Sequence, residues 1–357
     1  MVTKNVRLTT VKRDSFRYPI HQTSRMEVPS MNPRSSPSRW PAVAFLVVTL
    51  LFPALCPPSA AAAPTPVLRP GDMVAFVGGE DMVAVQANGY VELLLTLALP
   101  AESPRFRSLA FEGDTVFEQP RQLNFPPWED VLQRVGATVV VVQFGQSESL
   151  KGRAGLAAFI EAYEKLLHRL AGTNSSRRIV MLSPTPFEAI PDLPFDSKER
   201  NVELNAYVSA IREMAAKHHH HFIDVFHPLK EARASVTRDG VHLNAFGHWA
   251  VARESWRQLG QSEPAAKKTT LLNPGNGELS PSSIEALRQA IVSKNRFWFD
   301  YWRPQNWAFL HGDRTEQASS RDHQNPKVRW FPAEMEKFLP LIAAKEAEIA
   351  ALAAKAK

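Results

Sequence analysis

The sequence holds a single cysteine, Cys56, among 357 residues. A disulfide framework is therefore excluded, and so is any site built on cysteine ligands. No apolar run reaches the length of a comfortable membrane span. The longest, Ala42 to Leu55, is broken by Pro53 and is shorter than the roughly 20 residues a spanning helix needs. Internal repeats and heptad arrays are also missing, which argues against solenoids and coiled coils. An excess of basic charge is missing from the body of the chain, despite a formal net charge of +6. Eight of the 42 Lys/Arg and two of the 36 Asp/Glu precede Pro64, leaving 34 of each beyond it. A body without net charge gives no electrostatic footprint for nucleic acid, and no nucleic-acid partner is expected.

What is present begins with an address. Arg34 and Arg39 precede the apolar run, and the small residues Ser59 to Ala63 follow it. This order reads as an export signal with a cleavage site. Residues 1–63 are read as signal peptide and disordered leader, with the true start at Met1, Met26 or Met31. The expected location is periplasmic or extracellular. The alternative is anchoring by an uncleaved apolar segment, with no other membrane contact. Leu55 is a poor neighbour for a lipid-bearing cysteine, so plain export is favoured over lipidation of Cys56. If the leader is removed, no thiol remains.

From Pro66 onward, short apolar runs alternate with helical segments. The strands are Met73–Val77, Arg105–Phe111, Thr138–Phe144, Arg178–Leu182 and His221–Val225. Thr138–Phe144, TVVVVQF, is apolar on both faces, as a central parallel strand must be. The intervening helices are Gly89–Leu99, Trp128–Val135, Leu156–Leu170, Asn201–Lys217 and Asn244–Leu259, the last with Asn244 as N-cap. This alternation predicts a three-layer α/β/α sandwich with a five-stranded parallel sheet, of flavodoxin-like type, over residues 66–260. Residues 261–280 read as a linker. Residues 281–357 read as a helical, aromatic-rich extension: a helix over Pro281–Arg296, the segment FWFDYWRPQNWAFL at 297–310, and a helix over 332–357 kinked at Pro340. Phe338, Leu341, Ile342, Ile349 and Leu352 form one apolar stripe on that last helix.

In such sheets the site lies at the carboxyl ends of the strands. Gly78–Asp81, Gly113–Thr115 and Gly145–Ser149 each follow a strand, and Asp239-Gly-Val-His242 follows the fifth. An aspartate three residues before a histidine can orient the imidazole and leave its second nitrogen free as a general base. The four loops are expected to share one edge.

These loops carry a resemblance to the SGNH/GDSL hydrolase superfamily, from about Arg69 to Leu259. Phe76-Val77-Gly78 is similar to the lead-in of the first block, but Gly79-Glu80 stands where Asp-Ser is usual. Gly113 resembles the glycine of the second block. Gly145-Gln146-Ser147-Glu148 lies on the third, with Ser147 for the usual asparagine and Glu148 for the aspartate. Asp239-Gly-Val-His242 matches the fourth in full, and Leu243-Asn-x-x-Gly247 continues the likeness. The resemblance implies an exported hydrolase-like protein acting on acyl esters of carbohydrates, with a degenerate nucleophile position. It implies His242, Asp239, Glu80 and Ser147 as catalytic candidates, with Gly79, Gly113, Asp81, Gln146 and Glu148 around the pocket.

A carboxylate cannot do a serine's work in the usual way: attack on an ester would give an anhydride, and its charge opposes an oxyanion. Three readings follow. The scaffold is catalytically inactive and binds a carbohydrate or a partner. Or it hydrolyses, with Ser147 or Ser149 supplying the hydroxyl, or with Glu80 or Asp81 acting as base on water. Or its role is assembly, through the aromatic tail. Each group also has a plain reading: Glu80 as a charge at a helix start, the serines and Asp114-Thr115 as turn residues, His242 as a loop histidine. No cofactor is expected and no metal site. The run His218–His221 alternates in direction and suits a helix C-terminus better than one ion. Asn174-Ser-Ser176 fits a glycosylation sequon. The 297–309 aromatics are expected to be buried rather than to stack on sugars.

Overall fold

The computed structural model describes residues 67–99, 104–121, 123–173, 176–189, 196–259 and 270–356. The leader with Cys56, the first part of the expected linker and Asn174 of the sequon lie outside the described residues. Five parallel strands form the central sheet: β1 (Met73–Gly78), β2 (Arg105–Ser108), β3 (Val139–Gln143), β4 (Arg178–Leu182) and β5 (His221–Ile223), in the order β2-β1-β3-β4-β5. This is the three-layer arrangement that the alternating pattern predicts.

Side chains of a strand alternate between faces, and each face here has its own core. Val74 and Phe76 of β1, with Val139 and Val141 of β3, pack on one side against α2 (Tyr90–Ala98) and α7 (Ala245–Gln258). Ala75 and Val77, with Val140 and Val142, pack on the other against α3 (Trp128–Val135), α4 (Leu156–Ala171) and α5 (Ser197–Lys217). Because β1 and β3 are buried on both faces, they read as continuous apolar runs. A short α6 (Phe226–Lys230) follows β5.

Glu80 opens a helix, α1 (Glu80–Asn88), that starts one residue after β1, with Glu80 and Asp81 in its first turn where negative charge is favourable, as in the plain reading of Glu80. The structure departs from expectation further along the chain. The second part of the expected linker is ordered: β6 (Leu271–Leu272) and β7 (Leu279–Ser280) pair as a hairpin, and Tyr90 Oη donates to Gly277 O at 2.5 Å. The C-terminal helix breaks at Lys337 rather than at Pro340, giving α9 (Trp330–Glu336) and α10 (Phe338–Lys355). Pro340 falls in the first turn of α10, where its missing N–H has no intrahelical partner to lose. Of the apolar stripe, Ile342 and Ile349 are buried, whereas Leu341 is exposed.

The extension packs onto the sandwich. Its long helix α8 (Ser282–Trp302) runs beyond Arg296 and takes in the first half of the aromatic segment. Ile284, Leu287 and Ile291 join the α2/α7 core, while Trp298 joins the opposite one. The helix thereby covers edge strand β2, where unpaired backbone groups would otherwise face solvent. Trp298 Nε1 donates to Ser108 O at 2.6 Å. Lys294, fully buried, donates to Glu92 of α2 at 2.7 Å.

Candidate active site

The β1–β3 register pairs Gly78 with Gln143, so the loops after both strands leave the sheet side by side. Gly78 is held to glycine by this close approach. A Cβ there would lie 2.7 Å from Gln143 O and 2.5 Å from Met82 Cγ. Gly113, at φ +81°, makes the left-handed turn after β2. The Asp239–His242 loop meets them from the other side. Gly79, Glu80, Asp81, Gly113, Gln146, Ser147, Glu148 and His242 together line one cleft of about 300 Å³. The four loops that the sequence assigns to one edge do share it.

His242 is fixed through one nitrogen. Asp239 Oδ2 lies 2.7 Å from His242 Nδ1, and Asp239 Oδ1 accepts from the amides of His242 (2.8 Å) and Val241 (3.1 Å). Burial alone would raise the Asp239 carboxyl, but the bonds from His242 and Val241 outweigh it and hold it well below the usual carboxylate range. The other nitrogen, Nε2, lies 3.6 Å from Glu80 Oε1. That is too long for a hydrogen bond, yet one water can touch both atoms at once.

Asp81, the next residue of α1, takes a different part. Its Oδ2 accepts from Thr185 Oγ1 at 2.9 Å, and Thr185 Oγ1 in turn accepts from Gln146 Nε2 at 3.0 Å. Burial pushes the Asp81 carboxyl up to about 6, against the pull of Thr185 and His242, and the charge of Glu80 adds to the rise. A carboxyl raised in the folded state binds a proton that the unfolded chain has released. Its stabilising effect is complete below about pH 4 and is lost as pH climbs through about 6. Asp81→Asn is thus expected to leave stability unchanged at pH 4 and to raise it by roughly 1–3 kcal/mol at pH 8. Thermal melts of both proteins across pH 4–8 check this, the difference growing between the two ends.

The third loop is rigid around Glu148. This buried carboxylate accepts from Gly145 N and Val116 N, both at 2.9 Å. Desolvation nevertheless raises it above its ordinary value. Glu148 therefore shapes the loop and ties it to the segment after Gly113. Ser149 is buried and donates to Gln146 O at 2.6 Å, which removes its hydroxyl from the cleft. Ser147 is exposed at the cleft mouth, and its hydroxyl has no partner among the described residues.

Three positioning residues carry no signal in the sequence reading. Thr185 lies in Ser183-Pro-Thr-Pro186, which reads only as a strand stop. Glu188 anchors the segment leading to Asp239, its carboxylate accepting from Val236 N, Thr237 N and Ser235 Oγ at 2.7–2.9 Å. Arg121 holds Asp114 by two bonds of 2.7–2.8 Å and lies 3.8 Å from the centre of the Phe111 ring. Asp114 is therefore a structural carboxylate with an arginine partner. Among the described residues no group of His, Asp and Glu has metal-binding geometry. In the His218–His221 run, His218 faces Glu164 at 3.4 Å and His221 Nε2 meets Gln258 O at 2.8 Å.

Residues 78–250 match the GDSL-like lipase/acylhydrolase family. No curated protein matches the sequence. Among solved structures, BT4096, a gut microbial diltiazem-metabolizing enzyme, is 19% identical with a TM-score of 0.45. The match covers 54% of this chain and 48% of the enzyme, so this chain spans about half its length. The S15A catalytic mutant of Axe2, an acetylxylan esterase from Geobacillus stearothermophilus, is 19% identical with a TM-score of 0.39, covering 55% of this chain and 97% of that one. A lipase/acylhydrolase from Enterococcus faecalis is 18% identical with a TM-score of 0.38, covering 54% and 98%.

Proposed function

Because the chain belongs to the SGNH/GDSL hydrolase superfamily, we propose that it hydrolyses short acyl esters with water, not serine, as the nucleophile. The observation that carries this reading is the 3.6 Å separation of Glu80 Oε1 and His242 Nε2, with Asp239 behind the imidazole. A water bridging the two gives up its proton to this pair as it attacks the ester carbon. The hydroxide oxygen forms the new C–O bond, and the alkoxide leaves with a proton returned from the same pair. Gly113 N–H, unbonded among the described residues, supplies a donor for the carbonyl oxygen. The cleft is small and lined mainly by polar residues, with Phe144, Pro184 and Val241 among its apolar ones. It therefore fits a short acyl group on a hydroxyl-rich alcohol such as a carbohydrate. Export through the apolar run at 42–55 is part of the same proposal. Among the described residues no helix is long and apolar enough to cross a membrane.

A fluorophosphonate probe separates this route from a serine route. The expected result is release of acetate from acetylated sugars by a protein that the probe does not label. Glu80→Ser places a hydroxyl beside His242 and is expected to create labelling. Labelling of the parent protein that Ser147→Ala abolishes would reject the water route.

One observation favours a second reading. Glu80, Asp81, Asp114 and Glu148 bring four carboxyl groups to a single cleft, which opposes a developing oxyanion but suits acceptance of sugar hydroxyls. A protein that binds acetylated and deacetylated sugars equally well, and turns over neither, would establish that reading instead.

A further inference from the structure

A second basin lies along the β2 edge and under the C-terminal extension, with a volume of about 590 Å³. Met73 and Arg105, the first residues of β1 and β2, line it. It therefore reaches the amino ends of the strands, away from the His242 cleft at their carboxyl ends. We propose that this basin is a binding site for an organic anion, a ring compound carrying a carboxylate, sulfate or phosphate.

The charge of its lining carries the argument. Four arginines contribute: Arg105, Arg107, Arg134 and Arg329. Arg107 is committed, paired with Glu346 at 2.6 Å and lying 5.0 Å from the Trp298 ring centre. The other three have no carboxylate partner among the described residues. Arg105 and Arg134 are exposed at the rim. Arg329 is half-buried and held in place, its guanidinium donating to the carbonyls of Phe309 and Leu310 while its Nε stays buried without a partner among the described residues. Among the described residues of the lining the only acid is Glu336. The field is felt by neighbours: His311 in the same wall is held below its ordinary value, first by burial and then by Arg134 and Arg329.

The floor is apolar and aromatic. Phe125, Trp298, Tyr301 and Trp302 form a connected wall, with Phe125 and Trp302 ring centres 5.6 Å apart and Trp298 and Trp302 stacked at 6.1 Å. Among the described residues Trp302 Nε1 is a buried donor without a partner. Unpaired guanidinium groups and an orphaned indole N–H over a ring-lined floor are complementary to oxyanions on a ring. A bare inorganic anion would leave the floor empty, and a neutral ring would leave the arginines unpaired.

Isothermal titration with phenyl phosphate and with glucuronate tests the site and distinguishes an aromatic from a sugar ring. Phenol, glucose and inorganic phosphate are the controls. At least one ring anion is expected to bind, more weakly as salt is raised, and more tightly than every control. The Arg105→Ala/Arg134→Ala pair, both at the exposed rim, is expected to keep the parent melting temperature and lose about tenfold in affinity. Absence of heat with both ring anions would overturn the proposal. So would equal binding of inorganic phosphate, or parent affinity in the double variant. None of these readings depends on ester turnover at His242.

Discussion

His242→Ala is expected to lower kcat/KM for acetyl esters by about 10²–10⁴-fold, the range for loss of a positioned general base. Glu80→Gln is expected to fall in the same range. If the two groups hold one water between them, their effects do not add. The Glu80→Gln/His242→Ala double variant then loses no more than the worse single variant, as residues acting as a unit do. Initial rates on a soluble acetyl ester, with all four proteins at matched concentration, give the cycle. A Glu80→Gln protein as active as the parent would leave His242–Asp239 to act alone and would remove Glu80 from the chemistry. The geometry argues otherwise. Glu80 begins a helix whose start is pinned to β1 through Gly78, and it is the carboxylate at 3.6 Å from His242 Nε2. Asp239 engages only the opposite nitrogen, at 2.7 Å.

The largest effect on stability is expected at Lys294. Its ammonium is fully buried between α8 and α2, bonded to Glu92 at 2.7 Å and to Phe106 O at 3.3 Å. Burial lowers the lysine and raises the glutamate, each partly offset by the other's charge. Lys294→Ala leaves a buried carboxyl without its counter-charge and is expected to cost about 3–5 kcal/mol. Lys294→Met with Glu92→Leu removes both charges and keeps most of the volume, so it is expected to recover most of that loss. Urea unfolding of the three proteins measures it. A Lys294→Ala protein within about 1 kcal/mol of the parent would mean that α8 docks through its apolar face alone and that the pair is incidental.

The five strands and the cleft-forming loops were legible in the sequence because each rests on a local pattern. Val139–Val142 can only be a strand buried on both faces, and Asp239-Gly-Val-His242 fixes its own geometry across three residues. Start of α1 at Glu80 was harder to read, because Gly78-Gly79-Glu80-Asp81 has the composition of a turn. The β6–β7 hairpin was hidden for a related reason. Its short strands draw stability from Tyr90 and from α8, not from their own sequence. The break at Lys337 separates α9, whose Trp330 and Phe331 pack against Phe309, from α10, and the proline at 340 does not mark it. Long-range partners were invisible altogether. Glu188 lies about 50 residues before Asp239, and Thr185 about 100 after Asp81, and nothing local in either segment marks the other. The Glu80–His242 distance joins residues 162 apart. The proposed water route rests on it, and it exists only once the sheet brings both loops to one end.

The water route is tested most directly by the mass of the intact protein during turnover. The parent protein is mixed with excess p-nitrophenyl acetate, quenched in acid while nitrophenolate is still being released, and weighed. The account predicts steady release with no initial burst and a protein of unmodified mass, the acetyl group leaving only as acetate. A protein heavier by one acetyl group, with a matching burst of nitrophenolate, would contradict it, and so would a protein that releases no nitrophenolate.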